Sequence, residues 1–141
     1  MRPIIFRGKE ITNGTWQRGN LFQEGNRSWI VVQIEIDGDG EVADLFGTEW
    51  YEVDSKTVGQ LTGLKDKNGE DIFEGDGIRY SGSNGIEDFI IVYEYGTFVT
   101  RSLENETDYP DSLQANSGDF HIHWTILGNK FDNPSRFSTK Y

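Results

Sequence analysis

The two histidines of this chain, His121 and His123, stand at i and i+2. On a strand that spacing points both imidazoles to one face, as a metal pair would require. A catalytic zinc site needs three protein ligands, and no third candidate stands at a diagnostic spacing. Phe120, Ile122 and Trp124 take the alternate positions, so the plainer expectation is an amphipathic strand with the histidines on its solvent side. Asp37-Gly38-Asp39-Gly40-Glu41 offers alternating carboxylates to a hard cation. An EF-hand loop, however, needs glycine at its sixth position and glutamate at its twelfth, where Val42 and Thr48 stand. Asp66-Lys67-Asn68-Gly69-Glu70-Asp71 fails the same test, with Asp71 and Gly77 at those positions. Both strings read as turns, and no metal site is expected.

Glu74 and Asp76 flank Gly75 and could form an acid-base pair with one raised and one lowered pKa. The competing reading is stronger, because an Asp after Gly commonly caps a turn through the main chain. Ser81-Gly82-Ser83-Asn84-Gly85 lacks the Gly-x-Ser-x-Gly elbow of a serine nucleophile, and no Gly-x-x-x-x-Gly-Lys phosphate loop occurs. The expectation is therefore no catalytic residue, no cofactor and no enzyme activity. Trp16, close in sequence to Arg7, Lys9 and Arg18, is the one patch that could stack bases over a basic groove. Its default place is the core, on the burial tendency of aromatics.

Whatever positions these groups must be built mostly of strands. The 141 residues include 17 Gly but only 3 Pro, and 9 Phe, 6 Tyr and 4 Trp concentrate the apolar share in large side chains. Dense turns between short β-branched and aromatic runs favour strands over helices. There is no cysteine, which excludes disulfides, thiol nucleophiles and thiolate metal sites. No run is long enough for a membrane helix, and Met1-Arg2-Pro3-Ile4-Ile5-Phe6-Arg7 meets charge too early for a signal peptide, so the bacterial cytoplasm is the expected compartment. Formal net charge is −11, but unevenly placed. Residues 1–30 carry Arg2, Arg7, Lys9, Arg18 and Arg27 against Glu10 and Glu24, whereas the remaining 111 residues hold 8 basic and 22 acidic side chains. Opposite potentials on one chain could steer association, including that of one copy with another.

Ile30, Val32, Ile34 and Ile36 alternate along one strand that ends at the hairpin signal Asp37-Gly38-Asp39-Gly40, with 41–46 as the returning partner. A soft boundary falls near Ser55-Lys56. Beyond it, strands are expected over 57–64, 78–80, 89–95, 97–103 and 120–127, with 71–73 leading into the Glu74-Gly75-Asp76 turn, Gly96 turning a hairpin and a short helical turn available to 110–114. Five short strands with such turns fit a small SH3-like barrel. The expected fold is mainly β, with an N-terminal small β-sheet region (1–55) and a C-terminal SH3-like, partly closed barrel with a tail (56–141), as two regions or one compact unit.

Thr57-Val58-Gly59-Gln60-Leu61-Thr62-Gly63-Leu64-Lys65-Asp66-Lys67-Asn68-Gly69, followed by Ile72-Phe73-Glu74-Gly75-Asp76, closely resembles the central motif of the YopX-like family. Ile4-Ile5-Phe6-Arg7 resembles that family's opening strand, and 126–134 its closing segment. Two departures stand out. Gly77 takes a position the family usually gives to an aliphatic residue, and Gly8-Lys9 replaces a small-aromatic pair. The resemblance implies a phage or prophage origin and a mainly β fold, with no established activity. The functional expectation is a non-enzymatic module that binds a phage or host protein, or itself, through its acidic β surface. The alternatives are a nucleic-acid-linked module, binding single strands through the basic N-terminal segment or mimicking DNA with its carboxylates, and a metal-assisted hydrolase using His121 and His123.

Overall fold

In the computed structural model of the chain, residues 3–33, 48–83, 85–106, 111–112 and 123–139 are described. They form two compact units, Met1–Gln60 and Leu61–Tyr141. The expectation of a mainly β protein is met, and both sheets are antiparallel.

The first unit contains β1 (Phe6–Lys9), β2 (Trp16–Glu24), β3 (Arg27–Gln33) and β4 (Thr48–Val53), a 3-10 turn over Ser55–Thr57, and the start of β5 (Gly59–Lys65). Its strand order is β4-β3-β2-β1-β5. The sheet curls strongly. An isolated bridge joins Glu10 to Val53, Ile11 N donates to Glu52 O at 3.0 Å, and Asp54 N donates to Lys9 O at 2.8 Å. The end of β4 thus reaches the chain just past β1. Small side chains make the curl possible: a Cβ on Gly8 would lie 2.8 Å from Val53 Cγ2, and one on Gly19 would lie 2.3 Å from Val31 O. Only glycine allows so close an approach. Ser28, Ile30 and Val53 are fully buried on this inner face, and Ser28 Oγ shares a 2.8 Å hydrogen bond with Ser55 Oγ.

Of the expected alternating strand, residues 34–36 lie outside the described residues, as does the Asp37–Gly40 hairpin signal with its partner 41–46. β2 is an element that hydropathy does not reveal, because neither of its alternating sets is apolar: Trp16, Arg18, Asn20, Phe22 and Glu24 form one, and Gln17, Gly19, Leu21 and Gln23 the other.

The second unit takes the rest of β5, then β6 (Asp71–Phe73), β7 (Asp76–Gly82), β8 (Gly85–Glu94), β9 (Thr97–Ser102), β10 (Asp111–Ser112) and β11 (Trp124–Asn129). β5 pairs with β6 through a register shift between Leu61 and Lys65, and the other five strands run in the order β10-β9-β8-β7-β11. Asp111 and Ser112 pair with Thr100 and Val99, so that stretch extends the sheet instead of making a helical turn. Among the described residues no ladder joins β10 to β11, and the sheet is open where a partly closed barrel was expected.

Both faces of this sheet are covered. Ile72, Ile78, Ile91, Phe98 and Trp124 form one buried cluster, while Ile90, Leu103 and Phe137 form a second. Phe89-Ile90-Ile91-Val92 is therefore a continuous apolar run, as a strand buried on both sides demands. The second cluster explains the departure at Gly77. A Cβ there would lie 2.1 Å from the Phe137 ring, so the aromatic of the C-terminal segment fills the volume that an aliphatic residue 77 would occupy.

Candidate functional site

The residues singled out in the sequence fall into two groups, those committed to holding the fold and those left on a surface. Asp66 belongs to the first. It is buried; Oδ1 accepts from Asn68 N at 2.8 Å and Glu70 N at 3.0 Å, and Oδ2 accepts from Ile126 N at 3.1 Å. One carboxylate thereby closes the 66–70 turn and ties it to β11. Asp71 forms an ion pair with Lys65 at 2.8 Å. Asp76 is also buried, and its Oδ2 accepts from Phe73 N at 2.8 Å, which is the turn-capping geometry expected of it. Glu74 is half-buried beside that turn.

His123 is exposed, with Nδ1 3.3 Å from Ser81 O and its ring 5.5 Å from that of Tyr80. His121, Asn84 and the 37–41 carboxylates lie outside the described residues. Among the described residues no three His, Asp or Glu side chains gather as metal ligands, and no helix is long and apolar enough to cross a membrane.

Trp16 is not in the core. It is half-buried, with the Arg7 guanidinium 4.8 Å and Lys9 Nζ 5.7 Å from its ring centroid. The ladders explain the grouping. Arg7 pairs with Arg18 and Lys9 with Trp16 across β1 and β2, and directly opposed residues share a sheet face. Because Gly8, Gly19, Ile30 and Val53 point inward, the alternating residues point outward. The outer face of the first unit therefore carries Arg7 and Lys9 on β1, Trp16, Arg18 and Phe22 on β2, Arg27 and Trp29 on β3, and Trp50 on β4.

At the β2-β3-β4 end of this face the aromatics touch one another. Phe22 and Trp29 are opposed, with ring centroids 5.7 Å apart, and the Phe22 and Trp50 centroids are 5.5 Å apart at 74°. Phe22 is nevertheless 44% and Trp50 55% exposed. Arg27 lies 4.8 Å over the Trp29 ring and grips Glu52 with both prongs of its guanidinium, at 2.9 and 2.8 Å. That hydrogen bond, ahead of simple charge attraction, holds the Glu52 carboxyl below its ordinary pKa and raises that of Arg27. Sequence reasoning found the Trp16 group but missed Phe22, Trp29 and Trp50. The signal that could have found them is the alternation of Arg18, Phe22, Arg27 and Trp29 with inward-facing Gly19 and Ile30.

These observations define a mainly β chain of two units, with one sheet face built of aromatics and cations. The YopX protein family profile matches residues 6–138, and the chain belongs to that family. Among solved structures, the crystal structure of protein EF1440 from Enterococcus faecalis is similar at a TM-score of 0.60 and 20% identity, covering 98% of this chain and 100% of that one. It shares the fold. No curated protein matches the chain.

Proposed function

We infer that the chain is a non-enzymatic interaction module, acting as a phage or prophage accessory protein in the cytoplasm of a bacterial host, and that its working surface is the outer face of the first unit. One observation carries this reading: Phe22 and Trp50 stay 44% and 55% exposed while packed edge-on against each other. Large apolar side chains left out in a contiguous group mark interaction sites, and Trp with Arg is the composition of binding hot spots. Of the Glu74 and Asp76 carboxylates considered for acid-base chemistry, Asp76 is buried and accepts from Phe73 N, which supports the non-enzymatic half. The working surface proposed is thus the aromatic outer face of the first unit instead of the acidic surface that the composition suggested.

Affinity capture from host extract, with and without nuclease treatment, tests the reading. Wild-type chain should retain a macromolecule that the folded Phe22→Ala/Trp50→Ala variant does not. Equal retention by both, or by neither, counts against it.

A further inference from the structure

We propose that Phe22 and Trp50, on the outer face of the first unit, receive an arginine-rich segment of a partner protein, whose guanidinium groups stack on the two exposed rings. This rests on the reading of that face as the working surface and names the chemistry of its partner.

The face already holds one guanidinium in this way. Arg27 lies 4.8 Å over the Trp29 ring while its edge N–H groups donate to Glu52 at 2.9 and 2.8 Å. Trp29 stands opposite Phe22 in the β2-β3 ladder and opposite Glu52 in the β3-β4 ladder. Trp50 lies two residues before Glu52 on the same side of β4, about 7 Å along the strand. A second guanidinium, laid on the Trp50 ring, therefore meets the same combination of an aromatic face with a carboxylate near its edge. Each Glu52 oxygen takes one Arg27 bond, and a carboxylate offers about four acceptor sites.

Charge complementarity selects the occupant. With a formal net charge of −11, the field of the whole chain draws in a polycation and repels a polyanion. At contact, the negative π faces of Phe22 and Trp50 favour a cation over a neutral group of the same size. Long-range steering and short-range contact thus point to one kind of partner.

Two further points fix the details. Arg18 shares the face but stands four residues before Phe22 on β2, about 13 Å at the rise of an extended strand. That exceeds the roughly 8 Å over which charge is felt at physiological salt, so Arg18 does not oppose a cation at Phe22 and Trp50. Guanidinium also suits the rings better than ammonium does, because it is planar and weakly hydrated and stacks without losing its edge hydrogen bonds.

Fluorescence polarisation with purified full chain and a labelled peptide of alternating Arg and Ser tests this. Two counterparts serve as controls, one with Lys for Arg and one with citrulline, which keeps the planar side chain without its charge. The Arg peptide should bind at about 50 mM salt and weaken as salt rises, and it should bind more tightly than either counterpart. Phe22→Ala and Trp50→Ala, each shown to be folded by circular dichroism, should weaken it at least about threefold. Neither substitution alters net charge, so non-specific attraction to an acidic chain would survive both. The proposal is overturned by no binding of the Arg peptide at low salt, by binding unchanged in both variants, or by a Lys or citrulline peptide bound as tightly. Binding of oligo-dT that depends on the same two rings, in place of the peptide, overturns it as well. If the Arg peptide fails while capture from host extract still depends on Phe22 and Trp50, the basic-partner assignment falls and the interaction-module reading stands.

Discussion

The two units use the same kinds of residue in opposite ways. In the second, Phe98, Trp124 and Phe137 are buried, and arginines are held flat against the sheet by cross-strand carboxylates: Arg79 on Asp88 at 2.8 and 3.0 Å, Arg101 on Glu94 at 2.6 Å through both prongs. In the first, the fully buried face is made of Ser28, Ile30 and Val53 closing over Gly8, and Phe22 and Trp50 stand outside. Burying a large apolar side chain stabilises a fold by roughly 1.5–3 kcal/mol. Aromatics held inside therefore contribute to stability, while Phe22 and Trp50 forgo that gain, as do Tyr93 and Tyr95 in the second unit.

The largest effect that would sharpen this contrast is expected at Phe137. Its replacement by Ala removes a buried ring seated against Gly77 and Gly128 and should destabilise the second unit by about 3–5 kcal/mol. Hydrogen exchange resolved by segment would check it: protection should fall in β7, β8 and β11 and persist in β2 and β3. Simultaneous loss in both units would break the distinction drawn between them.

Next comes Asp66→Ala, which strips the acceptor from the N–H groups of Asn68, Glu70 and Ile126. A cost of about 1–2 kcal/mol is expected from removing three part-buried hydrogen bonds, read as a lowered urea midpoint. An unchanged midpoint would mean that water replaces the carboxylate easily.

Smallest is a pH effect. Hydrogen bonds from Arg101 and Arg27 hold the Glu94 and Glu52 carboxyls below the ordinary value of 4.5. A carboxyl depressed in the folded state stabilises above its unfolded pKa, and that contribution is lost as pH falls through the folded value. Urea midpoints should therefore be insensitive to pH near neutrality, where these pairs contribute fully, and decline in acid below 4.5, with a shallower decline in Glu94→Gln. A midpoint that rises in acid would contradict the assignment.

Much of the second unit was legible in the sequence. The strand through 78–80, the hairpin around Gly96 and the turn capped by Asp76 follow from apolar runs broken by Gly and Asx residues. The first unit was harder to read. β2 has no apolar alternation to detect, since its inward positions include Gln17 and Gly19 and its outward ones mix Trp16 with Arg18. For the same reason Trp16 was expected in the core, where an aromatic ordinarily sits.

By itself the sequence determined a mainly β chain, its family, and the uneven distribution of charge along its length. Only the tertiary structure decided that Arg7, Lys9, Arg18 and Arg27 share one surface with Phe22, Trp29 and Trp50. The reason is geometric: side chains alternate along a strand, but which alternate set faces outward depends on where the sheet curls. Here that is set by contacts between residues far apart in sequence, such as Gly8 against Val53.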